Sequence, residues 1–211
     1  LANYPITNGS DELRHAIAGW LARRYGIPQP DPVHQVLPVN GSREALFAFA
    51  QCVADPLRQD GLVLCPNPFY QIYEGAAYLA GLSPTFINQL PGDNFATNFA
   101  TVPEDVWRHT QLVYICSPSN PTGNVVSFDQ WQQLFELSDR HGFVIASDEC
   151  YSEIYCDESQ PPLGAMQAAR RLGRDGYRRL VVFSSLSKRS NVPGLRSGFV
   201  AGDAAILKQF W

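Results

Sequence analysis

The chain has 211 residues, and its 16 basic and 20 acidic side chains give a formal net charge of −4. This balance argues against a protein that binds a nucleic-acid backbone, which needs a basic stripe, so we expect no nucleic-acid partner. No apolar run approaches the ~20 residues that cross a bilayer, and no signal peptide is recognisable at the N-terminus. We therefore expect a soluble, cytoplasmic protein with a buried core and no membrane contact.

Short apolar runs alternate with stretches of helical periodicity along most of the chain. Strands are predicted over residues 33–39, 61–65, 111–116, 143–147, 180–184 and 198–201. Helices are predicted over residues 12–25, 43–54, 70–80 and 128–141, and a last helix is predicted after a cap at Asp203. Continuous apolar strands separated by helices are typical of an α/β, three-layer αβα fold with a mostly parallel central sheet.

The composition adds two expectations. Charged residues make up only 17% of the chain, below the ~25% usual for globular domains, while Phe, Tyr and Trp are frequent. A surface poor in charge and rich in aromatic side chains favours contact with another chain, and a large core with few surface loops is the alternative. The five cysteines form no CxxC pair and the four histidines are scattered, which predicts buried free thiols and no metal site.

Polar residues follow several of the predicted strands, where ligands bind in sheets of this kind. One of them is Lys188, which ends the segment Ser185-Leu186-Ser187-Lys188. A lysine with a lowered pKa forms a Schiff base with an aldehyde cofactor, and a solvated loop lysine is the alternative. Ser42 and Arg43 open a helix after a strand, where free N–H groups favour an anion such as a phosphate, or where they form an ordinary cap.

Two other strand ends carry an amide and a carboxylate. Asn120 lies in the turn Ser117-Pro118-Ser119-Asn120-Pro121-Thr122-Gly123, where it either donates a hydrogen bond to a ligand or only forms the turn. Asp148 ends an apolar strand and precedes Tyr151 by three residues. A buried carboxylate needs a cationic or N–H partner, which a protonated pyridinium supplies. Alternatively, Asp148 and Glu149 cap the next helix.

Taken together, these motifs resemble those of fold-type I pyridoxal-phosphate aminotransferases of class I/II. The shared features stand in the family's order: Asn120-Pro121-Thr122-Gly123, Asp148 with Tyr151, Ser185 with Lys188, and Arg196. The resemblance runs from near Tyr4 to Trp211. Within the family, residues 69–77 and 187–199 are most similar to N-succinyldiaminopimelate aminotransferases, which act in lysine biosynthesis.

The resemblance implies catalytic roles for three residues. Lys188 would hold pyridoxal 5'-phosphate as an aldimine and then move the proton at the substrate α-carbon. Asp148 would keep the ring nitrogen protonated, while Tyr151 and Asn120 would hydrogen-bond the ring hydroxyl oxygen.

The resemblance also implies the remaining cofactor contacts. Tyr70 would stack on the ring face. The phosphate would be bound by Ser42, Arg43, Ser185 and Arg196. Tyr4 would reach the phosphate of the partner subunit, so the protein would be a homodimer with a shared active site.

The resemblance sets the expected domain organisation as well. Residues 1–211 would be the cofactor-binding large domain, truncated at both ends, with the small domain largely absent. The arginine that binds the substrate carboxylate and the segment that closes over substrate would lie outside this sequence. We therefore expect no turnover from this chain alone.

The reaction implied is amino-group transfer between N-succinyl-diaminopimelate and 2-oxoglutarate. Another fold-type I enzyme, such as a different aminotransferase or a β-lyase, would keep the same cofactor contacts. A regulatory module that senses the cofactor without catalysis is a third interpretation.

Overall fold

The computed structural model describes residues 6–55, 57–58 and 60–211. These residues form a seven-stranded sheet with the order β1-β7-β6-β5-β4-β2-β3. The strands are β1 (Val36–Val39), β2 (Leu62–Asn67), β3 (Ser83–Asn88), β4 (Thr110–Cys116), β5 (Val144–Asp148), β6 (Leu180–Ser185) and β7 (Gly198–Gly202).

Helices cover both faces of the sheet. They are α1 (Asp11–Tyr25), α2 (Ser42–Val53), α3 (Ile72–Leu79), α4 (Glu104–His109), α5 (Phe128–His141), α6 (Ala165–Arg171), α7 (Leu186–Arg189) and α8 (Ala204–Phe210). Side chains of α1, α4, α5 and α6 join one apolar cluster, and those of α2, α3 and α8 join the other. The predicted three-layer αβα class is therefore confirmed.

The alternation of side chains along β4 separates the two clusters. Every residue of β4 is buried, with Val113 and Ile115 in the first cluster and Leu112 and Tyr114 in the second. A strand that is apolar on both faces reads as a continuous apolar run, which is why the sequence signals a central strand here.

Strand direction brings four strand ends to one edge of the sheet. The strands β3, β2, β4, β5 and β6 are parallel, whereas β7 is antiparallel to both β6 and β1. Two reversals cancel, so β1 runs in the same direction as β6. The carboxyl ends of β1, β4, β5 and β6 therefore share the edge at which parallel sheets bind ligands.

Several predicted boundaries differ from the structure. The first strand begins at Val36 rather than at residue 33, because Asp31 Oδ1 accepts from the N–H groups of Val33 (2.7 Å) and His34 (3.3 Å) and holds a turn. The prediction missed β3 and three short helices, α4, α6 and α7. The expected cap at Asp203 is confirmed, since its side chain accepts from the Ala205 N–H. Ser10 caps α1 in the same way, with its side chain accepting from the Leu13 N–H.

All five cysteines are free, as predicted, but not all are buried. Cys65, Cys116 and Cys150 are buried, Cys52 is half-buried and Cys156 is exposed. Among the described residues, no helix is long and apolar enough to span a bilayer. Within the same residues, no group of three or more His, Cys, Asp or Glu side chains is placed to hold a metal ion.

Candidate active site

A cavity of about 530 Å³ lies at the carboxyl edge of the sheet. Nine of the ten residues predicted for the site line it: Ser42, Arg43, Tyr70, Asn120, Asp148, Tyr151, Ser185, Lys188 and Arg196. The tenth, Tyr4, lies outside the described residues. The structure thus brings together residues that are widely separated in sequence.

Asp148 forms the buried floor of the cavity as the last residue of β5. Its Oδ2 accepts from the Tyr73 hydroxyl at 2.8 Å and its Oδ1 accepts from the Cys150 N–H at 3.2 Å. Burial raises the pKa of the Asp148 carboxyl, and these two donors oppose that rise by stabilising the charged form. Asp148 therefore does not cap a helix, which removes that alternative for this residue.

Glu149 faces away from Asp148 into the protein. Its Oε1 accepts from the N–H of Ala165, the first residue of α6, at 2.7 Å, and its Oε2 accepts from the Tyr25 hydroxyl at 2.7 Å. Glu149 therefore contacts the start of α6 from a distance in sequence, while the N-cap position of that helix is Gly164. Burial raises the pKa of its carboxyl, while the donors stabilise the charged form. These contacts tie the segment that carries Asp148 to α1 and α6.

The other end of the cavity is built around the N-terminus of α2. Gly41 precedes the helix with φ +104°, a conformation that L side chains rarely adopt. Ser42 Oγ lies 3.0 Å from the Cys150 Sγ, which lies 3.7 Å from Ser185 Oγ. Two hydroxyls and a helix N-terminus therefore face the same space, an arrangement that favours an anion.

Arg196 completes this end from the loop before β7. Its Nη2 donates to Glu44 Oε2 at 2.6 Å, and its Nη1 donates to the Pro193 carbonyl at 3.2 Å. A Cβ added at Gly41 would overlap the guanidinium, so Gly41 leaves the space that Arg196 occupies. The two contacts use two of the five guanidinium N–H groups and leave donors for a ligand.

The remaining predicted residues line the sides of the cavity. Lys188 lies in α7 directly after β6, and its side chain is exposed. Tyr70 precedes α3, and its hydroxyl accepts from Arg43 Nε. Tyr151 and Asn120 also line the cavity and are half-buried. Burial, with Cys116 and Asp148 nearby, raises the pKa of the Tyr151 hydroxyl.

Residues at this site that the sequence did not predict include Glu44, Cys150 and Tyr73. Glu44 and Cys150 line the cavity, and Tyr73 lies behind Asp148. Glu44 lies in the first turn of α2, directly after Ser42 and Arg43, and this neighbourhood is the signal by which the sequence could have indicated it. Nothing local in the sequence distinguishes Tyr73 from an ordinary core residue.

Comparison with known proteins shows the same fold and similar sequences among aminotransferases. The family profile described as "Aminotransferase class I and II" matches residues 1–210. The chain is 32% identical over 206 residues to the LL-diaminopimelate aminotransferase of Desulforudis audaxviator (strain MP104C), covering 97% of this chain and 50% of that protein. The chain thus spans about half the length of the curated relatives it matches.

Two solved structures extend the comparison. An aminotransferase from Neisseria meningitidis Z2491 has a TM-score of 0.94 and 53% sequence identity, over 99% of this chain and 52% of that one. A probable N-succinyldiaminopimelate aminotransferase from Thermus thermophilus has a TM-score of 0.85 and 27% identity, over 98% of this chain and 53% of that one. The family profile spans nearly the whole chain, and the cavity lies where the family's sequence motifs meet. The chain belongs to the aminotransferase class I and II family, whose members depend on pyridoxal 5'-phosphate.

Proposed function

We propose that this protein is an aminotransferase that moves an amino group between an amino acid and a keto acid with pyridoxal 5'-phosphate. Residues 1–211 would form its cofactor-binding large domain. The observation that carries the proposal is the convergence of Lys188, Asp148, Asn120 and Tyr151 on one cavity with an anion-binding end.

The residues present fit this cofactor. The phosphate end offers hydroxyls and helix N–H groups, and the missing Cβ of Gly41 leaves room for a guanidinium above them. The opposite end offers a buried carboxylate, Asp148, the partner that a protonated pyridine nitrogen requires. One amine, Lys188, lines the same cavity.

Each residue has a task that follows from its chemistry. When bound, the cofactor supplies an aldehyde and an electron-withdrawing ring. Lys188 Nζ would attach to the cofactor and later carry the proton at the substrate α-carbon. Asp148 would keep a proton on the ring nitrogen by pairing with it. Asn120 and Tyr151 would orient the ring through its hydroxyl oxygen.

At the other end, Ser42, Ser185, the Arg43 N–H and Arg196 would bind the phosphate. Tyr70 would cover one face of the ring. These contacts would hold the cofactor so that Lys188 lies next to its reacting atoms in a fixed orientation.

A reduction experiment tests the attachment. Borohydride treatment of the cofactor-loaded enzyme is expected to leave the cofactor mass covalently on the peptide that contains Lys188. The variant Lys188→Ala is expected to lose this label completely. Lys208→Ala removes the only other lysine of this sequence and is expected to retain it. A label that persists in Lys188→Ala would refute the assignment.

We further propose a diaminopimelate substrate, with 2-oxoglutarate as the amino acceptor. The N-succinyl form is supported by segments 69–77 and 187–199, and the relative from T. thermophilus carries that name. The unmodified LL-diaminopimelate is a second candidate, because the curated relatives are named for it. Turnover of each compound by the full-length enzyme with 2-oxoglutarate separates the two.

The same assay separates an aminotransferase from a β-lyase, because a lyase needs no keto-acid acceptor. Activity that is independent of 2-oxoglutarate would overturn the proposal. Brisk turnover of an aromatic or aspartate donor only would overturn the diaminopimelate substrate and leave amino transfer intact.

The proposed assembly is a cytoplasmic homodimer in which Tyr4 reaches the partner subunit's phosphate. The low fraction of charged residues supports a large contact surface with another chain. Sedimentation equilibrium of the full-length enzyme tests this, with twice the subunit mass as the expected result. A monomer with full activity would exclude the shared site.

A further inference from the structure

Tyr73 is a fully buried side chain of α3 that none of the roles above uses. Its hydroxyl donates to Asp148 Oδ2 at 2.8 Å, from a residue 75 positions away in sequence. Tyr73 does not line the cavity and so approaches the carboxylate from behind. It is placed to act on Asp148 without touching a ligand.

The position of the Tyr73 ring is fixed by its neighbours. It stacks on the ring of Tyr114 with centroids 4.6 Å apart and an interplanar angle of 10°. The Tyr114 hydroxyl donates to the Leu46 carbonyl of α2 at 2.7 Å. The Tyr73 hydroxyl therefore stays close to Asp148, because its ring stacks on a Tyr114 ring that is itself bonded to α2.

The carboxylate has few other partners. Among the described residues, no Lys, Arg or His forms an ion pair with Asp148, and its hydrogen bonds come from Tyr73 and the Cys150 N–H. A buried carboxylate without a cation depends on such donors to stay charged. The Tyr73 hydroxyl is the only side-chain donor of the two.

We propose that Tyr73 is a positioning residue that holds the charged carboxylate of Asp148 for the ring nitrogen of the cofactor. This inference rests on the proposed function, in which the cofactor places that nitrogen against Asp148. Because each carboxylate oxygen accepts two hydrogen bonds, Oδ2 keeps a lone pair for the ring N–H while it accepts from Tyr73. Tyr73 thereby favours a cofactor whose ring nitrogen carries a proton.

The test compares two cofactors that differ only at the ring nitrogen. Pyridoxal 5'-phosphate and its 1-deaza analogue, in which a C–H group replaces the nitrogen, are titrated into intact enzyme stripped of cofactor. The ratio of the two dissociation constants reports the contact between Asp148 and the nitrogen and requires no turnover. The wild type is expected to prefer pyridoxal 5'-phosphate.

Tyr73→Phe is expected to lower this preference about tenfold, because it removes one hydrogen bond to a charged group and keeps the ring. Tyr114→Phe is the matched control, since it removes a buried tyrosine hydroxyl that bonds a carbonyl and leaves the contact to Asp148 in place. Its preference is expected to equal that of the wild type.

Three results would overturn the inference or its basis. Equal losses of affinity for both cofactors in Tyr73→Phe would show that Tyr73 only supports packing. An unchanged preference would show that the hydroxyl does not act on Asp148. A wild type that binds both cofactors alike would instead refute the placement of the ring nitrogen in the proposed function.

A second variant guards against misfolding of Tyr73→Phe. Fluorotyrosine at position 73 keeps the size and contacts of the side chain and makes its hydroxyl a stronger donor. The preference for pyridoxal 5'-phosphate is expected to rise above the wild-type value. A fall or no change would count against the inference.

Discussion

The two ends of the cavity are built in different ways. At the carboxylate end, Asp148 is 5% exposed and its hydrogen bonds come from the buried protein. At the anion end, the side chains of Arg196 and Glu44 are 44% and 57% exposed and pair with each other. One end is fixed by the core, and the other is fixed by contacts that water reaches.

This difference separates two kinds of binding contribution. Burying an unpaired carboxylate costs free energy, so a cation that pairs with it contributes a large binding free energy. A pair between exposed charges contributes less binding free energy because water screens the interaction. We therefore expect substitutions at the carboxylate end to have larger effects on cofactor affinity than those at the anion end.

The largest effect is expected from Asp148→Asn. The amide cannot pair with a protonated ring nitrogen, so the affinity for pyridoxal 5'-phosphate is expected to fall about a hundredfold, the loss of one buried charged hydrogen bond. Titration followed by the absorbance of the bound cofactor measures it. Asp129→Asn, an exposed carboxylate on α5, serves as the control and is expected to change nothing. An affinity loss below about threefold in Asp148→Asn would contradict the comparison.

Arg196→Ala is expected to have a smaller effect that depends on the phosphate. The affinity for pyridoxal 5'-phosphate is expected to fall roughly tenfold, since one charged donor of several is lost. The affinity for pyridoxal, which lacks the phosphate, is expected to stay the same. Equal losses for both compounds would show that Arg196 does not meet the phosphate.

Gly41→Ala tests the crowding at the anion end. The added Cβ would overlap the Arg196 guanidinium and the Glu44 carboxylate, and φ +104° is strained for alanine. Unfolding free energy is expected to fall by about 1–3 kcal/mol, measured by urea denaturation. Gly26→Ala is the control for backbone strain alone, because its φ is +60° and a Cβ there meets nothing within 4 Å. If Gly41→Ala loses no more unfolding free energy than Gly26→Ala, the overlap with Arg196 and Glu44 has no effect on stability.

The smallest effect concerns the stability of the cofactor-free protein. Burial raises the pKa of Asp148 above its unfolded value, so between these two pKa values the native state binds more protons than the unfolded state. The stability of the protein therefore falls as pH rises from the unfolded pKa to the folded one. Asp148→Asn removes this dependence. We expect it to be more stable than the wild type at pH 7 and equal to it below the pKa of an unfolded aspartate, about 4.

A control with the opposite sign is available. Hydrogen bonds from Ser159 lower the pKa of Asp157, so this residue adds stability at neutral pH that is lost as pH falls. Asp157→Asn is therefore expected to be less stable than the wild type at pH 7, with the difference vanishing in acid. Urea denaturation at several pH values measures both variants. A destabilised Asp148→Asn at pH 7 would show that its charge is not costly in the folded protein.

The strand-end residues could be predicted because their signals are local. An apolar run followed by a small polar group marks both Asp148 and Lys188, and the order of strands in the chain places them on one edge. The strand β3 escaped prediction because it lies at the edge of the sheet, contains Pro84 and has mostly exposed or half-exposed residues. Its periodicity therefore resembles that of a loop.

The contacts between distant residues could not be predicted. Tyr73 meets Asp148 across 75 positions, and Glu44 meets Arg196 across 152. A single sequence carries no signal for such pairs, since each residue is compatible with a plain core or surface role. The cavity was therefore predictable as a set of strand ends, and the network behind it was not.

The pairing of β1 with β7 affects the order in which the site is assembled on the ribosome. The strand β1 has β7 as its neighbour in the sheet, so β1 can pair only after residues 198–202 have been synthesised. By contrast, Tyr73 and Asp148 lie among β2, β4 and β5, which emerge earlier and pair with one another. Because non-local pairings form late, a nascent chain acquires the carboxylate half of the cavity before the half that holds Ser42 and Arg196. The half of the cavity that holds Ser42 and Arg196 is thus expected to form only after β7 has left the ribosome.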